Sequence, residues 1–128
     1  MAVNGVHHIA LATKDMDKSL AFYVEGLGGK VVHSFPMGNS GKSIYLVDLG
    51  NNAVLEIIPR PLENAEVDAR FFHLCLASTD VQADFDKAIA AGATVRSEPK
   101  ESMLGTMKVC NAFVIGPDDE VLEYLKAL

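Results

Sequence analysis

The segment HIALATKDMDKSLAFY at positions 8–23 decides the fold, because a diverged copy, HLCLASTDVQADFDKA, stands at positions 73–88. When the two histidines are superposed, both copies carry leucine, alanine, a hydroxyl residue and aspartate at matching places. Asp15 and Asp80 are typical N-caps, since their side-chain oxygens can accept the amide hydrogens of a first helical turn. The chain is therefore predicted to be a tandem duplication in which each copy begins with a strand that leads into a helix.

The rest of each copy predicts three more strands. Apolar residues at helical spacing follow the caps, namely Met16, Leu20 and Tyr23 in the first copy and Val81, Phe85 and Ala88 in the second. Each helix is expected to end at glycine, and a strand follows each break. The last two strands of each copy flank a turn, Asn51-Asn52 in the first and GPDDE at 116–120 in the second. The predicted order is β-α-β-β-β twice, in modules 1–62 and 68–128 of one domain that are joined near the polar segment 60–70.

The composition is that of a globular protein, with 128 residues, of which 49% are hydrophobic and 22% are charged. A net charge of −6 offers no basic surface for nucleic acid. No stretch reaches the roughly 18 apolar residues of a membrane span, and the N-terminus lacks the regions of a signal peptide. We therefore expect a cytoplasmic protein without nucleic-acid or membrane partners. Its two cysteines, Cys75 and Cys110, are expected to be reduced and to pack in the core.

A second polar position also repeats. The tripeptide VLE contains Glu56 in the first half and Glu123 in the second, so each half supplies a histidine on its first strand and a glutamate on its last. A carboxylate among aliphatic neighbours must be paired, protonated or metal-bound, because uncompensated burial costs several kcal/mol. A lone histidine or glutamate is more often structural, but four such positions coincide in the repeat. We predict that His8, Glu56, His73 and Glu123 bind one divalent cation such as Zn, Ni, Co, Fe or Mn.

The chain resembles the vicinal oxygen chelate superfamily, which includes glyoxalase I, methylmalonyl-CoA epimerase, extradiol dioxygenases and the fosfomycin and bleomycin resistance proteins. The matching pieces are HHIALATKDMDKSLAFYVEGLG, NNAVLEIIP, FHLCLASTDVQADFDKAIAAGA and NAFVIGPDDEVLEYL, and they cover nearly the whole chain. The resemblance implies an α+β fold with paired βαβββ modules that form a curved, incompletely closed barrel around one metal. The ligands of the family fall at His8, Glu56, His73 and Glu123. His7 is then expected to lie on the opposite face of its strand in a structural role.

A set of two histidines and two glutamates looks most like bacterial glyoxalase I, a lactoylglutathione lyase that binds Ni, Co, Zn or Mn. That resemblance implies conversion of a ketoaldehyde–thiol hemithioacetal to a 2-hydroxyacyl thioester through an enediolate, with Glu123 as the base and Glu56 as ligand or assistant. Glutathione-using relatives usually carry arginine where this chain has Ala12, so the thiol is left open. The alternatives are a racemase similar to methylmalonyl-CoA epimerase, or a protein that binds a small molecule without turnover. Relatives of this size imply a homodimer.

Alternation along the strands places further residues near the predicted site. Cys75 should share the face of His73, whereas Tyr45 and Phe113 could face either the cavity or the core. Residues 97–107, which include Pro99 and Gly105, could fold over the cavity as a lid or form an inert surface loop.

Overall fold

The computed structural model describes residues 7–60, 73–104 and 106–128, and the chain divides into two compact units, Met1–Glu63 and Asn64–Leu128. The first unit contains β1 (Ile9–Ala12), α1 (Met16–Leu20), a π-helical segment (Ala21–Gly26), β2 (Lys30–Pro36), β3 (Ser43–Asp48) and β4 (Val54–Ile58). The second unit contains β5 (Leu74–Ala77), α2 (Val81–Ala90), β6 (Thr94–Leu104), β7 (Met107–Ile115) and β8 (Val121–Ala127). The predicted α+β class and the tandem βαβββ order are confirmed. The predicted linker at 60–70 lies, apart from Arg60, outside the described residues.

Each unit builds one four-stranded mixed sheet. The strand orders are β1-β4-β3-β2 and β5-β8-β7-β6, so the first and last strands of each unit are neighbours. These neighbours run parallel, and the other pairs run antiparallel. As described, each sheet is open, because the first two strands of each unit form its edges. This topology places the first residue of the first strand opposite the second residue of the last one, Ile9 opposite Leu55 and Leu74 opposite Leu122.

Both predicted helix caps are present. The Asp15 carboxylate accepts a hydrogen bond from the Lys18 amide at 3.1 Å, and the Asp80 carboxylate accepts one from the Ala83 amide at 3.0 Å. Behind the second cap, Val81, Phe85 and Ala88 are all buried, as their spacing predicts. The cap and the apolar face together explain why α2 forms where it does.

The first helix differs from the prediction, because its second half winds as a π-helix. The Leu27 amide donates to the Phe22 carbonyl five residues earlier, at 2.9 Å. The wider turn lets two consecutive aromatic residues, Phe22 and Tyr23, both be buried, with their ring centroids 5.0 Å apart in an edge-to-face arrangement. An ordinary α-helix would turn them about 100° apart, so the spacing rule alone could not predict this segment.

The predicted loop at 97–107 is wrong. Strand β6 continues to Leu104 and pairs with β7, so this stretch is the arm of a long hairpin rather than a lid or a loop. Pro99 fits because β6 is an edge strand, and the pairing register shifts between Ser97 and Lys100 around the proline.

The predicted turn between β3 and β4 is confirmed. Asn51 and Asn52 join β3 to β4 with positive φ angles of 51° and 61°, a left-handed conformation that asparagine tolerates better than most residues. The Ala53 amide closes the turn by donating to the Gly50 carbonyl at 2.9 Å. Among the described residues, no helix is long and apolar enough to cross a membrane.

Candidate metal-binding site

In the first unit, the parallel pairing of β1 with β4 brings His8 to Glu56. His8 immediately precedes β1, and two residues later Ala10 lies opposite Glu56 in the register. The His8 Nε2 atom is 3.8 Å from Oε1 of Glu56. The imidazole is about one-third exposed, and the carboxylate side chain is 20% exposed. The repeat therefore places one nitrogen and one oxygen donor face to face.

The second unit repeats this arrangement more tightly. His73 immediately precedes β5, and Cys75 lies opposite Glu123 across the parallel β5–β8 pair. The His73 Nε2 atom is 3.1 Å from Oε1 of Glu123, whose side chain is only 7% exposed. Phe113 lies opposite Glu123 on the other neighbouring strand, and its ring meets the His73 ring edge to face at 5.5 Å. Phe113 thus borders the site, a role that the sequence left undecided.

Two residues that the sequence analysis did not select complete this cluster. The Asn111 side-chain amide donates to Oε2 of Glu123 at 2.9 Å, and the Ser102 hydroxyl donates to the Asn111 side-chain oxygen at 2.7 Å. A signal for Asn111 does exist, because it is an amide inside the apolar run VCNAFVI and must find a buried partner. No comparable signal marks Ser102. It contacts the site only because β6 continues as a strand through a stretch that the sequence predicted to be a lid or a loop.

Cys75 corrects a further prediction. The residue is exposed rather than packed in the core, and it lies opposite Glu123 in the parallel β5–β8 pair. Burial of the thiol first, and then the charge on Glu123, raise the pKa of Cys75 from 9.0 to about 11. The thiol therefore stays protonated at neutral pH. Cys110 is only partly buried.

His7 does not lie on the face opposite His8. Both residues come before β1, where strand alternation does not apply, and their rings meet edge to face with the two Nδ1 atoms 2.9 Å apart. This contact occupies Nδ1 of His8 and leaves Nε2 to face Glu56. Metal-ligating histidines commonly use their second ring nitrogen in such a contact.

The donor chemistry of each pair fits a divalent cation. At metal–ligand distances of about 2.1 Å, two ligands of one ion lie about 3 to 3.5 Å apart. The 3.1 Å separation in the second unit falls in this range, and the 3.8 Å separation in the first lies just above it. The same geometry also allows an ion pair when the imidazole is protonated. Within either unit, the described residues contain no group of three His, Cys, Asp or Glu side chains that could hold a metal. Each unit therefore presents two ligands, and the four-ligand centre stays a prediction.

Comparison with known proteins identifies the family. The family described as the glyoxalase/bleomycin resistance protein/dioxygenase superfamily matches residues 5–124, which is nearly the entire chain. A protein named "Probable lactoylglutathione lyase" from Synechocystis sp. is 28% identical over 123 residues, which cover 93% of this chain and 92% of the relative. The human mitochondrial methylmalonyl-CoA epimerase is 30% identical over 87 residues. That match covers 61% of this chain and spans about half, 48%, of the epimerase.

A solved structure shows the same fold. The crystal structure of TnmS3, an antibiotic binding protein from Streptomyces sp., matches with a TM-score of 0.75 and covers 100% of this chain and 99% of its own. The two sequences are 22% identical, so the likeness concerns the fold alone.

Proposed function

Because the chain belongs to the glyoxalase/bleomycin resistance protein/dioxygenase superfamily, we propose that it is a metal-dependent isomerase of the glyoxalase I type, like a lactoylglutathione lyase. The observation that carries the proposal is the histidine–glutamate pair at the same place in both units, at 3.8 Å in the first and 3.1 Å in the second. The similarity to the Synechocystis protein along almost its full length supports the same reaction class.

The proposed ligands are His8, Glu56, His73 and Glu123, which would together hold one divalent ion such as Ni, Co, Zn or Mn. When bound, such an ion supplies Lewis-acid stabilisation of negative charge on substrate oxygens. Each unit supplies two of these proposed ligands.

Glu123 is the proposed base. The bond that breaks joins hydrogen to the carbon beside the substrate carbonyl, and its electron pair moves toward the carbonyl oxygen to give an enediolate. Oε1 of Glu123 takes the proton and returns it to the adjacent carbon, which converts a hemithioacetal to a 2-hydroxyacyl thioester. The buried position of this carboxylate restricts water around the proton in transit. Glu56 serves mainly as a ligand.

Turnover in deuterated water tests the proposal. Protein purified without added metal is analysed for metal content and then assayed with methylglyoxal and a panel of thiols. We expect about one ion per chain and formation of a lactoyl thioester. Absence of both stoichiometric metal and activity after addition of Ni, Co, Zn or Mn would argue for small-molecule binding without turnover. Oxygen consumption by the Fe(II)-loaded protein with a catechol would contradict an isomerase.

A second candidate is an epimerase of branched acyl thioesters, favoured by the 30% identity to methylmalonyl-CoA epimerase over 61% of the chain. The same residues would serve it, since the proton leaves a carbon beside a carbonyl and returns to that carbon from the opposite face. Methylmalonyl-CoA in deuterated water separates the two reactions. Deuterium entering the α-carbon without a change of constitution supports the epimerase, and formation of a lactoyl thioester supports the glyoxalase.

The cytoplasmic location and the homodimer stay predictions. Sedimentation at micromolar concentration tests the dimer directly. A species of twice 13.8 kDa is expected, and a species of 13.8 kDa alone would contradict it.

A further inference from the structure

Asn111 bridges the proposed base to the β6–β7 hairpin. Its side chain is almost completely buried, at 6% exposed, as is Glu123. The two residues are diagonal neighbours on adjacent strands, because Phe113, two positions after Asn111, is the direct partner of Glu123. The amide nitrogen of Asn111 is 2.9 Å from Oε2 of the carboxylate, and this is the oxygen that does not face His73.

The chemistry of the three groups fixes the direction of the contacts. A carboxylate can only accept, so Asn111 must turn its NH₂ group toward Glu123. The carbonyl end of the amide then points away and accepts the Ser102 hydroxyl at 2.7 Å. The carboxylate itself prevents the amide from turning over, because that would set two oxygens against each other, and the Ser102 hydroxyl adds a second contact that holds the carbonyl end. The result is a carboxylate with one oxygen tied to the sheet and one oxygen directed at His73.

The first unit has no such restraint on its glutamate. Leu46 lies opposite Glu56 as Phe113 lies opposite Glu123, so the residue that corresponds to Asn111 is Ile44. An isoleucine offers no donor to a carboxylate. Strand β2 also ends at Pro36 opposite Ser43, so no residue of β2 corresponds to Ser102 on the longer β6. The restraint on Glu123 therefore belongs to the second unit and has no counterpart among the described residues of the first.

We infer that Asn111, held by Ser102, is a positioning residue that fixes Oε2 of Glu123 and leaves Oε1, which faces His73, as the atom that would take the proton. The inference rests on the proposed function, but the geometric part concerns only residues of this chain. It also gives a reason for the two glutamates to differ in role. A base must hold one geometry through proton transfer, and a carboxylate with a fixed second oxygen does so without reorganisation.

The first test uses the metal-free protein and measures exchange of side-chain amide protons by NMR. We expect one Asn111 side-chain proton to exchange at least about tenfold more slowly than those of the exposed Asn39. Both Glu123→Ala and Ser102→Ala should speed this exchange, and Ser102→Thr, which keeps the hydroxyl, should restore it. Exchange as fast as that of Asn39 in the folded wild-type protein would overturn the inference, whatever metal the protein binds.

The second test measures Co(II) affinity and the visible spectrum of the Co(II)-loaded protein. Asn111→Leu should weaken Co(II) binding by roughly 10- to 100-fold and change the spectrum, since loss of an outer contact to a ligand typically has this cost. Thr13→Val is the matched control, because it removes the buried 2.7 Å hydrogen bond between Thr13 and Ser19 in the first unit. It should leave both the affinity and the spectrum unchanged.

Turnover separates positioning from substrate binding. In Asn111→Leu, kcat should fall while KM changes little, because the amide contacts the base and not the substrate. A folded Asn111→Leu variant with wild-type Co(II) affinity, spectrum and kcat would overturn the inference. Slow Asn111 exchange in a protein that binds no metal and turns over no substrate would overturn the proposed function, while the restraint on Glu123 would stand.

Discussion

The two units carry the same histidine and glutamate in different surroundings. Glu56 is flanked in the sheet by Ala10 and Leu46, neither of which has a polar side chain. At the corresponding places Glu123 has Cys75, whose thiol pKa is raised in part by the charge on Glu123, and Phe113, whose ring supports His73. Glu123 is also more buried and lies nearer its histidine. Among the described residues, Glu123 thus has several polar contacts, whereas Glu56 has only the longer contact with His8.

The comparison distinguishes the features that both copies of the repeat share from those that only the second copy has. Parallel pairing of the first and last strands is common to both units and is sufficient to bring imidazole and carboxylate together. The extra contacts of the second unit depend on single substitutions, such as asparagine in place of Ile44 and cysteine in place of Ala10. Under the proposed function, the first unit would help to hold the ion, and the second would also move the proton.

Glutamine substitutions should give the largest contrast between the units. Glu123→Gln should lower turnover by about 10²- to 10⁴-fold while some metal is retained, because an amide oxygen can still ligate but cannot accept the proton. Glu56→Gln should lose less turnover, since its role is ligation. Turnover and metal content of both variants distinguish a base from a ligand, and Glu101→Gln, at an exposed position, is the control. Full activity of metal-bound Glu123→Gln would require another base.

Alanine substitutions of the histidines test whether both units bind one ion. His8→Ala and His73→Ala should each lower Co(II) affinity by at least about 100-fold, beyond the cost of losing an outer contact. Titration should show about one ion per wild-type chain, and His33→Ala, an exposed histidine on β2, should match the wild type. If His8→Ala keeps full affinity, the second unit binds its ion without the first.

The thiol of Cys75 should report the charge on Glu123 in metal-free protein. Its pKa of about 11, against an ordinary value of 9.0, should make alkylation by iodoacetamide at pH 8 roughly 100-fold slower than for an unshifted thiol. The rate should rise with pH up to about 11. Glu123→Gln removes the charge and should move the midpoint to lower pH. Peptide mass spectrometry distinguishes Cys75 from Cys110. A midpoint near 9 in the wild type would contradict the shift, and an unchanged midpoint in Glu123→Gln would contradict the effect of Glu123.

The sequence predicted the features that depend on spacing along one chain. The repeat located both caps, α2, the Asn51-Asn52 turn and the order of elements along the chain, because each follows from local pattern or from the duplication itself. The same logic selected His8, Glu56, His73 and Glu123 as ligands of one ion, without predicting which of them would be neighbours. The four-ligand centre requires ligands from both units to bind the same ion, and it stays a prediction.

The features that the sequence did not predict depend on neighbouring strands or on a change of helix type. Ser102 lies near Asn111 only because β6 extends past Pro99, and proline in the sequence suggested a loop. Phe22 and Tyr23 are both buried in a segment that winds as a π-helix, which the spacing rule for an α-helix does not describe. His7 contacts His8 because both residues come before β1, so strand alternation does not separate them.

The smallest expected effect concerns the core behind Glu123. Tyr124 corresponds to Ile57 of the first unit, and both are buried. The Tyr124 hydroxyl is buried without a hydrogen-bond partner among the described residues, which costs free energy that an isoleucine does not incur. Tyr124→Phe should therefore raise the free energy of unfolding by about 1 kcal/mol at pH 8. Urea unfolding measures the change, with the half-buried Tyr45→Phe as the comparison.

The same variant should change how stability depends on alkaline pH. Burial first, and then the charge on Asp84, raise the pKa of Tyr124 from 10.0 to about 12. Below pH 10 the phenol is neutral in both the folded and the unfolded chain. Between pH 10 and 12 the phenol ionises only in the unfolded chain, so the wild type loses stability as the pH rises. Phenylalanine cannot ionise, so the advantage of Tyr124→Phe should grow from pH 10 to pH 11. If the variant is less stable than the wild type at pH 8, the Tyr124 hydroxyl must have a favourable partner. Polar contacts would then stabilise the core of the second unit as well as its carboxylate.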